Sequence, residues 1–207
     1  MGLYAEQRES AAQAEGGTAP LVFIDACCLV SLLKRELCLA FAEAELCRLF
    51  WSSKVLDEAE WAISRMLVAR EGVVQVQADA SAAAVRRTLE HAWPDGLVAD
   101  ASAFLDRCPA LRDANDRHVV AGALAAGASL IVTENLRDFP RRKLARLGLG
   151  AMNAEGFLAS CFDRNAEAAI EAIGRVRERL EGGGLLSKPF PVALVQAGLR
   201  TLACRMG

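Results

Sequence analysis

The chain has 207 residues, of which 53% are hydrophobic and 24% are charged. That length suits one α/β domain with helical additions better than two domains, and the composition can fill a buried core. The formal net charge is −2. It excludes nucleic-acid binding by overall attraction, so any such binding must come from a local basic patch.

The seven cysteines are scattered, and they form neither a C-x-x-C pair nor a cysteine–histidine cluster with zinc spacing. The first residues include Glu6, Arg8 and Glu9 and do not resemble a signal peptide. No apolar run approaches the roughly 20 residues that span a bilayer. We therefore expect a protein of the reducing cytoplasm that does not associate with membranes.

Hydrophobic periodicity predicts helices and strands that alternate along the chain. Residues 1–19 are polar and rich in small residues, which is typical of a mobile tail. The predicted strands are 21–24, 73–76 and 129–133. The predicted helices are 27–49, 54–70, 79–91, 97–107, 115–127, 153–162, 165–181 and 188–204.

Strands separated by helices favour parallel pairing through right-handed crossovers. We therefore predict an α/β domain with a central parallel sheet at residues 20–162. Residues 163–207 are predicted to form a C-terminal helical extension. Glycines 182–184 separate its last helix from the rest, and Gly198 argues against a continuous helix at 188–204.

Asp25 directly follows the apolar run of the first predicted strand. An aspartate that ends a buried strand lies at the carboxyl edge of the sheet, where open α/β folds bind ligands. The alternative is that Asp25 caps the helix that follows it, since aspartate is a favoured N-cap residue.

Glu58 is the one acid of its segment that falls on an inward stripe, which begins with Val55 and Ala59 at helical spacing. Asp57 and Glu60 fall on the polar side and are expected to be solvated. A carboxylate on the inward side needs a partner, because burying an unpaired charge is costly. The alternative role for Glu58 is a salt bridge to Arg65.

Asp116 begins the apolar stripe of the next helix, so it is a second acid on an inward face. Its place in the first turn suits a negative charge near the positive end of the helix dipole. Asp113 is interpreted as an N-cap, with a supporting role in an acidic site as the alternative. His118 lies off the inward stripe and is interpreted as a surface or packing residue.

The third predicted strand delivers Thr133 and Asn135 to the same sheet edge as Asp25, and Asp138 follows in the loop. Hydroxyl, amide and carboxylate oxygens are hard donors that suit Mg²⁺ or Mn²⁺. The alternative is an ordinary turn, in which Asn and Asp are common. Several carboxylates gathered in one crevice would repel one another, and they would either take up protons or bind cations.

These segments resemble the PIN-domain family, and in particular the VapC-like ribonuclease toxins of type II toxin–antitoxin pairs. The resemblance covers roughly residues 21–160. It rests on the sequence blocks at residues 22–25, 55–58, 93–95, 113–121 and 132–140.

The resemblance implies a three-layer, Rossmann-like α/β fold and hydrolysis of RNA phosphodiester bonds with one or two Mg²⁺ or Mn²⁺ ions. It also implies a homodimer and inhibition by a cognate antitoxin protein. The implied catalytic residues are Asp25, Glu58, Asp116 and Asp138. The implied metal ligands are these four and Asn135, with Thr133 and Asp113 in support.

The chain departs from the family at two of these positions. Asn135 stands where many relatives carry an acid, and Asp138 is the candidate that compensates. Cys27 stands where an asparagine is frequent. Metal binding is expected to survive both changes, since three core carboxylates remain.

Basic residues lie beside the acidic segments and are predicted to contact RNA phosphates. They are Arg112, Arg117, Arg137, Arg141, Arg142 and Lys143, with Arg146 close behind. The alternative is a solvated helix face.

Two other functions fit parts of the pattern. A degenerate PIN domain could bind RNA or a protein without cutting, and Asn135 is the feature that favours it. A receiver-like phosphoacceptor would need a second acid near Asp25, which the sequence lacks. Replacing Asp25 or Asp116 with Asn is expected to abolish cleavage and to leave the fold intact, because the change relieves charge repulsion.

Overall fold

The computed structural model of the chain describes residues 19–206, except for the side chains of residues 70 and 71. The tail predicted at residues 1–19 lies outside the described residues apart from its last position. Within the described part of the chain, no helix combines the length and apolar character that a bilayer crossing requires.

A five-stranded parallel sheet with the order β3-β2-β1-β4-β5 forms the centre of the fold. Its strands are β1 (Leu21–Ile24), β2 (Arg48–Ser52), β3 (Leu97–Val98), β4 (Leu130–Val132) and β5 (Gly150–Met152). Strand β1 lies in the middle, with Val22 opposite Leu49 on one side and Leu130 on the other. The last three residues of β1 are fully buried, as expected for a strand covered on both faces.

Helices flank the sheet, which confirms the predicted α/β class. They are α1 (Ala26–Val30), α2 (Leu32–Glu43), α3 (Ser53–Glu71), α4 (Gln75–Ala92), α5 (Arg117–Ala125), α6 (Arg141–Ala145), α7 (Ala154–Arg164), α8 (Ala166–Gly182), α9 (Phe190–Gln196) and α10 (Arg200–Arg205). Short 3-10 helices occur at Pro94–Gly96, Ser102–Arg107, Ala114–Asp116 and Leu136–Asp138.

The strand order reverses at β1, because the chain moves from β1 to β2 on one side and later returns to β4 on the other. Open α/β sheets bind ligands at such a reversal, in the crevice beyond the carboxyl ends of the two central strands. Here those ends carry Asp25 after β1 and Thr133 after β4. The sheet topology therefore brings together residues more than one hundred positions apart.

Helix α5 approaches the centre of β1 closely because Gly122 lacks a side chain. A Cβ atom added at Gly122 would overlap the ring of Phe23. Phe23 lies two residues before Asp25, and Asp116 immediately precedes α5. The close contact therefore sets the separation between the elements that carry these two acids.

The C-terminal helices share the core of the sheet domain. Buried residues of α8, α9 and α10, including Ile173, Leu194 and Leu202, belong to the same apolar cluster as Phe23 and Leu37. The Glu155 carboxylate on α7 accepts hydrogen bonds from the first backbone N–H groups of α10, at 2.8 and 2.6 Å. The predicted extension is therefore packed against the rest of the protein.

Several predicted elements differ in the structure. The strand predicted at residues 73–76 is wrong, since α4 begins at Gln75. The helix predicted at 27–49 gives way to β2, and the one at 97–107 is β3 followed by a 3-10 helix. Strand β5 was not predicted. The helix predicted at 188–204 is two helices that meet near Gly198, whose φ of +82° suits glycine.

Candidate acidic active site

Asp25 uses its two carboxylate oxygens for different partners. Oδ1 accepts a 2.7 Å hydrogen bond from the backbone N–H of Ala26 and caps α1. Oδ2 accepts hydrogen bonds from the hydroxyl of Thr133 at 2.6 Å and from the thiol of Cys27 at 3.2 Å. The capping role is confirmed, and the same carboxylate also reaches the end of β4. Asp25 is therefore held from two neighbouring strands.

The segment after β4 is arranged around Thr133, which is fully buried. Its hydroxyl oxygen accepts a 3.0 Å hydrogen bond from the backbone N–H of Asn135 while it donates to Asp25. The Asn135 side-chain amide in turn donates to Oδ2 of Asp138. Thr133, Asn135 and Asp138 thus form one hydrogen-bonded chain that begins at Asp25.

Asp116 occupies the N-cap position of α5, but its side chain makes no capping hydrogen bond. Its Oδ2 atom is buried and has no hydrogen-bond partner among the described residues. Burial raises the pKa of Asp116 to about 6, and the charges of four other acids add to this effect. Those acids are Asp25, Asp113, Asp138 and Glu58.

Each of these acids therefore lies close enough to Asp116 for its charge to raise the pKa of that residue. Asp113 is exposed, and it caps the 3-10 helix before α5 by accepting a 2.8 Å hydrogen bond from the N–H of Asn115. Its predicted capping role is therefore confirmed. A carboxylate at this position also adds negative charge to the crevice around Asp116.

Glu58 lies in α3. Its Oε2 atom is 3.3 Å from Nε2 of His118. Arg65, the alternative partner, instead lies over the ring of Trp61, with its Cζ atom 4.5 Å from the ring centroid. Asp57 and Glu60 bind Arg86 of α4, so they are surface ion pairs and do not belong to the crevice.

His118 was interpreted as a surface or packing residue, and the structure shows it packed between α5 and Glu58. Its side chain is only 14% exposed, and its Nδ1 atom lies 2.6 Å from the carbonyl oxygen of Asn115. The available signal was its position in the first turn of α5, two residues after Asp116. Helical periodicity could not identify Glu58 as its neighbour, because periodicity indicates only which residues face the core.

Cys27 lies within the same group of hydrogen bonds. Besides its contact with Asp25, its sulfur accepts a 3.2 Å hydrogen bond from the N–H of Glu134 and lies 3.5 Å from the Thr133 hydroxyl. Glu134 itself turns away from this group, since its carboxylate binds Lys34 at 2.9 Å and the N–H of Ala154 at 3.2 Å. It therefore does not replace Asn135 as the fourth acid.

The residues fit a divalent cation in their chemistry and charge. The orphaned Oδ2 of Asp116 and the raised pKa of that residue both indicate negative charge that a cation would stabilise. Oxygen donors are the ligands that Mg²⁺ and Mn²⁺ prefer. Within residues 19–206, no three acidic, histidine or cysteine side chains already converge as a complete metal cluster.

The predicted RNA-binding residues differ in their exposure and in their hydrogen bonds. Arg112 and Arg137 are exposed and line an open cleft together with Asp113 and Asp138. Arg117 instead donates a 2.6 Å hydrogen bond to the carbonyl oxygen of Leu105. The remaining predicted residues are exposed on α6, and they are Arg141, Arg142 and Lys143, with Lys143 donating to the Ala110 carbonyl at 2.5 Å.

The fold and this crevice define a class of α/β proteins with clustered acids at the carboxyl edge of a parallel sheet. A sequence model of the PIN domain matches residues 21–137, which is more than half of the chain. The chain therefore belongs to the PIN-domain family. Comparisons with curated proteins and with solved structures gave no match.

Membership of this family identifies the protein, at a coarse level, as a nuclease and hence a hydrolase. The family match ends at Arg137, within the loop that carries Asn135 and Asp138. It therefore includes Asn135 and three of the four predicted catalytic acids, but not Asp138.

Proposed function

We propose that the protein is a Mg²⁺- or Mn²⁺-dependent endoribonuclease that hydrolyses RNA phosphodiester bonds. The observation that carries this proposal is the buried Oδ2 of Asp116, which has no partner and lies among other acids. The proposed catalytic residues are Asp25, Glu58, Asp116 and Asp138.

The role proposed for each acidic residue follows from the contacts that hold its side chain. Asp25 is fixed by its bonds to Ala26 and Thr133, so it would offer a rigid carboxylate to a bound ion. Glu58 and Asp116 would hold the same ion or ions, and one of them would accept the proton of the attacking water. The chemistry that one or two bound ions supply is activation of water and neutralisation of charge on the phosphate.

Asn135 and Asp138 would complete the ligand set from the other side. Their side chains are bonded to each other, and Thr133 ties their loop to Asp25 through the Asn135 N–H. Thr133 would therefore orient ligands without binding the metal itself. Asp113 would add negative charge at the mouth of the site.

Arg112 and Arg137 are the best placed of the basic residues to hold the substrate, because they share a cleft with Asp113 and Asp138. Phosphate contacts of this kind would position the RNA strand beside the acids without reading its sequence. The side chains exposed on α6 would extend the basic surface. Replacing Arg112 or Arg137 with Gln should weaken RNA binding, and each change should reduce the slope of log affinity against log salt concentration by about 1. Arg177→Gln on α8 should change neither quantity.

We also propose that this nuclease is the toxin of a toxin–antitoxin pair, acts in the cytoplasm as a homodimer and is inhibited by a cognate antitoxin protein. The resemblance to VapC-like toxins supports this assignment. Co-expression with the small protein encoded by a neighbouring reading frame tests it. Rescue of growth and loss of cleavage are the expected results, and toxicity that no neighbouring product relieves would contradict it.

The test of the activity uses the full chain and a random-sequence pool of single-stranded RNA. We expect cleavage with Mg²⁺ or Mn²⁺ and none with a chelator. Asp25→Asn and Asp116→Asn should each abolish it, whereas Asp106→Asn, a change at an exposed position, should leave it unchanged. Circular dichroism and thermal melting establish that each variant is folded.

Equally fast metal-dependent cleavage in both site variants would show that the catalytic assignment is wrong. RNA binding without cleavage under any metal condition would favour a degenerate PIN domain that acts as a binding module. That alternative has no support in the acid cluster, because clustered carboxylates repel RNA phosphates unless a cation lies between them.

A further inference from the structure

The cleft that contains Arg112 and Arg137 has two walls, which come from separate parts of the chain. Arg112 and Asp113 lie on the segment between β3 and α5, whereas Arg137 and Asp138 lie on the loop between β4 and α6. The position of one wall relative to the other therefore determines whether both arginines can hold the same RNA strand.

Lys143 connects these two walls. It lies on α6, the helix that follows the loop of Arg137, and its Nζ atom donates a 2.5 Å hydrogen bond to the carbonyl oxygen of Ala110. Ala110 precedes Arg112 by two residues. A side chain next to one wall is thus bonded to the main chain of the other wall, close to its arginine.

The segment that carries Arg112 has little backbone hydrogen bonding of its own. Within the described residues 19–206, the N–H groups of residues 110–113 donate to no other backbone group. Ala110 and Arg112 are also exposed, so burial contributes little to holding this part of the chain. The position of Arg112 therefore depends on side chains that reach the segment from elsewhere.

Other contacts anchor the segment on both sides of the Lys143 bond. Arg117 of α5 donates a 2.6 Å hydrogen bond to the carbonyl oxygen of Leu105, and the buried thiol of Cys108 donates to the Arg117 carbonyl at 3.4 Å. Further along, Asp113 accepts a 2.8 Å hydrogen bond from the backbone N–H two residues after it. The bond from Lys143 therefore has to order only the short stretch between Cys108 and Asp113, whose ends are already held.

We propose that Lys143 is a positioning residue that sets the width of the RNA-binding cleft, because it ties the segment of Arg112 to the helix that follows Arg137. The inference rests on the proposed RNA-binding role of the two arginines. It deepens that proposal by giving Lys143 a different part from the other basic residues of α6. Lys143 acts through Arg112, and it does so without contacting phosphate.

The first measurement is limited digestion of the full-length protein with elastase, which tests this bond without RNA. Elastase cuts after small residues such as Ala110, and it cuts a segment that has opened locally. Lys143→Met removes the donor and should speed cleavage after Ala110 by about twofold to tenfold, as expected for the loss of one hydrogen bond. Lys143→Arg supplies another donor and should restore the wild-type rate. Lys188→Met, at an exposed position before α9, should also cleave at the wild-type rate.

The second measurement is the affinity of the same variants for a random-sequence pool of single-stranded RNA, by fluorescence anisotropy. Ca²⁺ replaces Mg²⁺, because it also binds carboxylate oxygens and offsets their charge, and gel analysis verifies that the RNA stays intact. Lys143→Met and Arg112→Gln should each weaken binding by about twofold to fivefold, the range of a single exposed ion pair. Lys143→Arg should bind like the wild type.

The double variant distinguishes positioning from direct contact with RNA. In the Arg112→Gln background, Lys143→Met should weaken binding no further, because the residue through which Lys143 acts is already gone. Arg142→Met on the same helix is the matched comparison. It removes a neighbouring exposed charge and should weaken binding equally with and without Arg112.

Equal losses from Lys143→Met in the two backgrounds would overturn the proposal, because Lys143 would then contact RNA itself. An unchanged rate of elastase cleavage after Ala110 in Lys143→Met would overturn it as well, since the bond would not hold the segment. Wild-type RNA affinity in both Arg112→Gln and Arg137→Gln would instead overturn the proposed RNA-binding cleft, and faster cleavage of Lys143→Met would then reflect a contact that serves the fold alone.

Discussion

The hydroxyl of Thr133 donates a 2.6 Å hydrogen bond to Oδ2 of Asp25, and so joins the ends of two adjacent parallel strands. Both residues are buried. The same hydroxyl accepts from the N–H of Asn135. One threonine therefore connects the acid after β1 to the loop after β4.

Thr133→Val keeps the shape of this side chain and removes its hydroxyl. The variant leaves the N–H of Asn135 without a partner and the buried Oδ2 of Asp25 with only the thiol of Cys27, so we expect a loss of about 1–3 kcal/mol in the free energy of unfolding. Urea denaturation measures it. Thr88→Val on α4 removes an exposed hydroxyl bonded to the Ala84 carbonyl and should change stability by less than about 0.5 kcal/mol. Equal effects of the two changes would contradict the linking role of Thr133.

Asp116→Asn should make the metal-free protein more stable at neutral pH. The pKa of Asp116 is raised from 3.8 to about 6 in the folded state, so the folded protein binds this proton more tightly than the unfolded chain does. Above pH 6 the carboxylate is charged and destabilises the fold. We expect a gain of about 1 kcal/mol in the variant, after allowing for solvent screening of a partly exposed group.

The advantage of Asp116→Asn should shrink as the pH falls through 6 towards 3.8, because the wild-type carboxyl then takes up its proton in the folded state. Denaturation in the presence of a chelator at several pH values tests this, with the exposed Asp106→Asn as the control. A variant that is less stable than the wild type at neutral pH would contradict the repulsion. Asp25→Asn should differ, because the amide nitrogen that replaces Oδ2 cannot accept the hydrogen bond of Thr133, so this change is expected to cost stability.

Gly122→Ala should destabilise the protein, because the added methyl group would overlap the Phe23 ring. Overpacking of a buried contact costs about 1–3 kcal/mol, and the displacement of α5 should also lower metal affinity. Gly174→Ala on α8 is the matched change, since nothing lies within 4 Å of the added Cβ, and it should raise stability by up to about 1 kcal/mol. Thermal melting of both variants measures the difference. An unchanged melting temperature in Gly122→Ala would show that the contact between α5 and Phe23 can accommodate a methyl group.

Cys27 should be alkylated by iodoacetamide faster than the buried cysteines. A hydrogen bond with Cys28 is the main cause that lowers the pKa of Cys27, with Thr133 and the Glu134 N–H assisting, while burial and Asp25 oppose the change. Mass spectrometry of each cysteine over time gives the rates. The adduct would lie beside Asp25, so RNA cleavage should fall in parallel, whereas the activity of Cys27→Ser should not change further on treatment. Unaltered cleavage after complete modification of Cys27 would contradict its placement.

The central strands could be predicted from sequence, whereas the strands beside them could not. β1 and β4 are short apolar runs closed by polar residues, which is a clear signal. β2 follows an apolar helix without an intervening glycine or proline. The chain turns there at Glu45, which adopts a φ of +56°, and nothing in the sequence marks a glutamate for that conformation. β3 has only two residues, too few for any periodicity.

The false strand at residues 73–76 has a physical explanation as well. Its valines suggested a buried strand, but Val74 and Val76 are 65% and 76% exposed. Gly72 ends α3 with a φ of +64°, and the chain turns directly into α4. The β-branched residues between α3 and α4 thus gave a false strand prediction. The preference of a residue type for strands does not indicate whether the residue is buried.

Helical periodicity singled out Glu58 and Asp116 as candidates because each falls beside apolar positions of its helix, although the Glu58 side chain is 40% exposed in the structure. It could not predict the contact between His118 and Glu58, because contacts between two helices depend on how the helices pack. The hydrogen bond between the side chains of Asn135 and Asp138 could not be predicted from the sequence either. The sequence analysis treated the two residues as alternatives for one ligand position. Because their side chains are hydrogen-bonded to each other, the two residues are better treated as a pair than as alternatives.

Arg86 lies where α3 and α4 meet, and it gathers Asp57, Glu60 and Glu90 around one guanidinium group. The first two of these acids flank Glu58 in the sequence. The cluster keeps a net negative charge, but a cation can bind Asp57 or Glu60 only by competing with the guanidinium group for them. Arg86 lies outside the crevice, but by occupying these two acids it favours binding of an incoming ion beside Glu58 and Asp116.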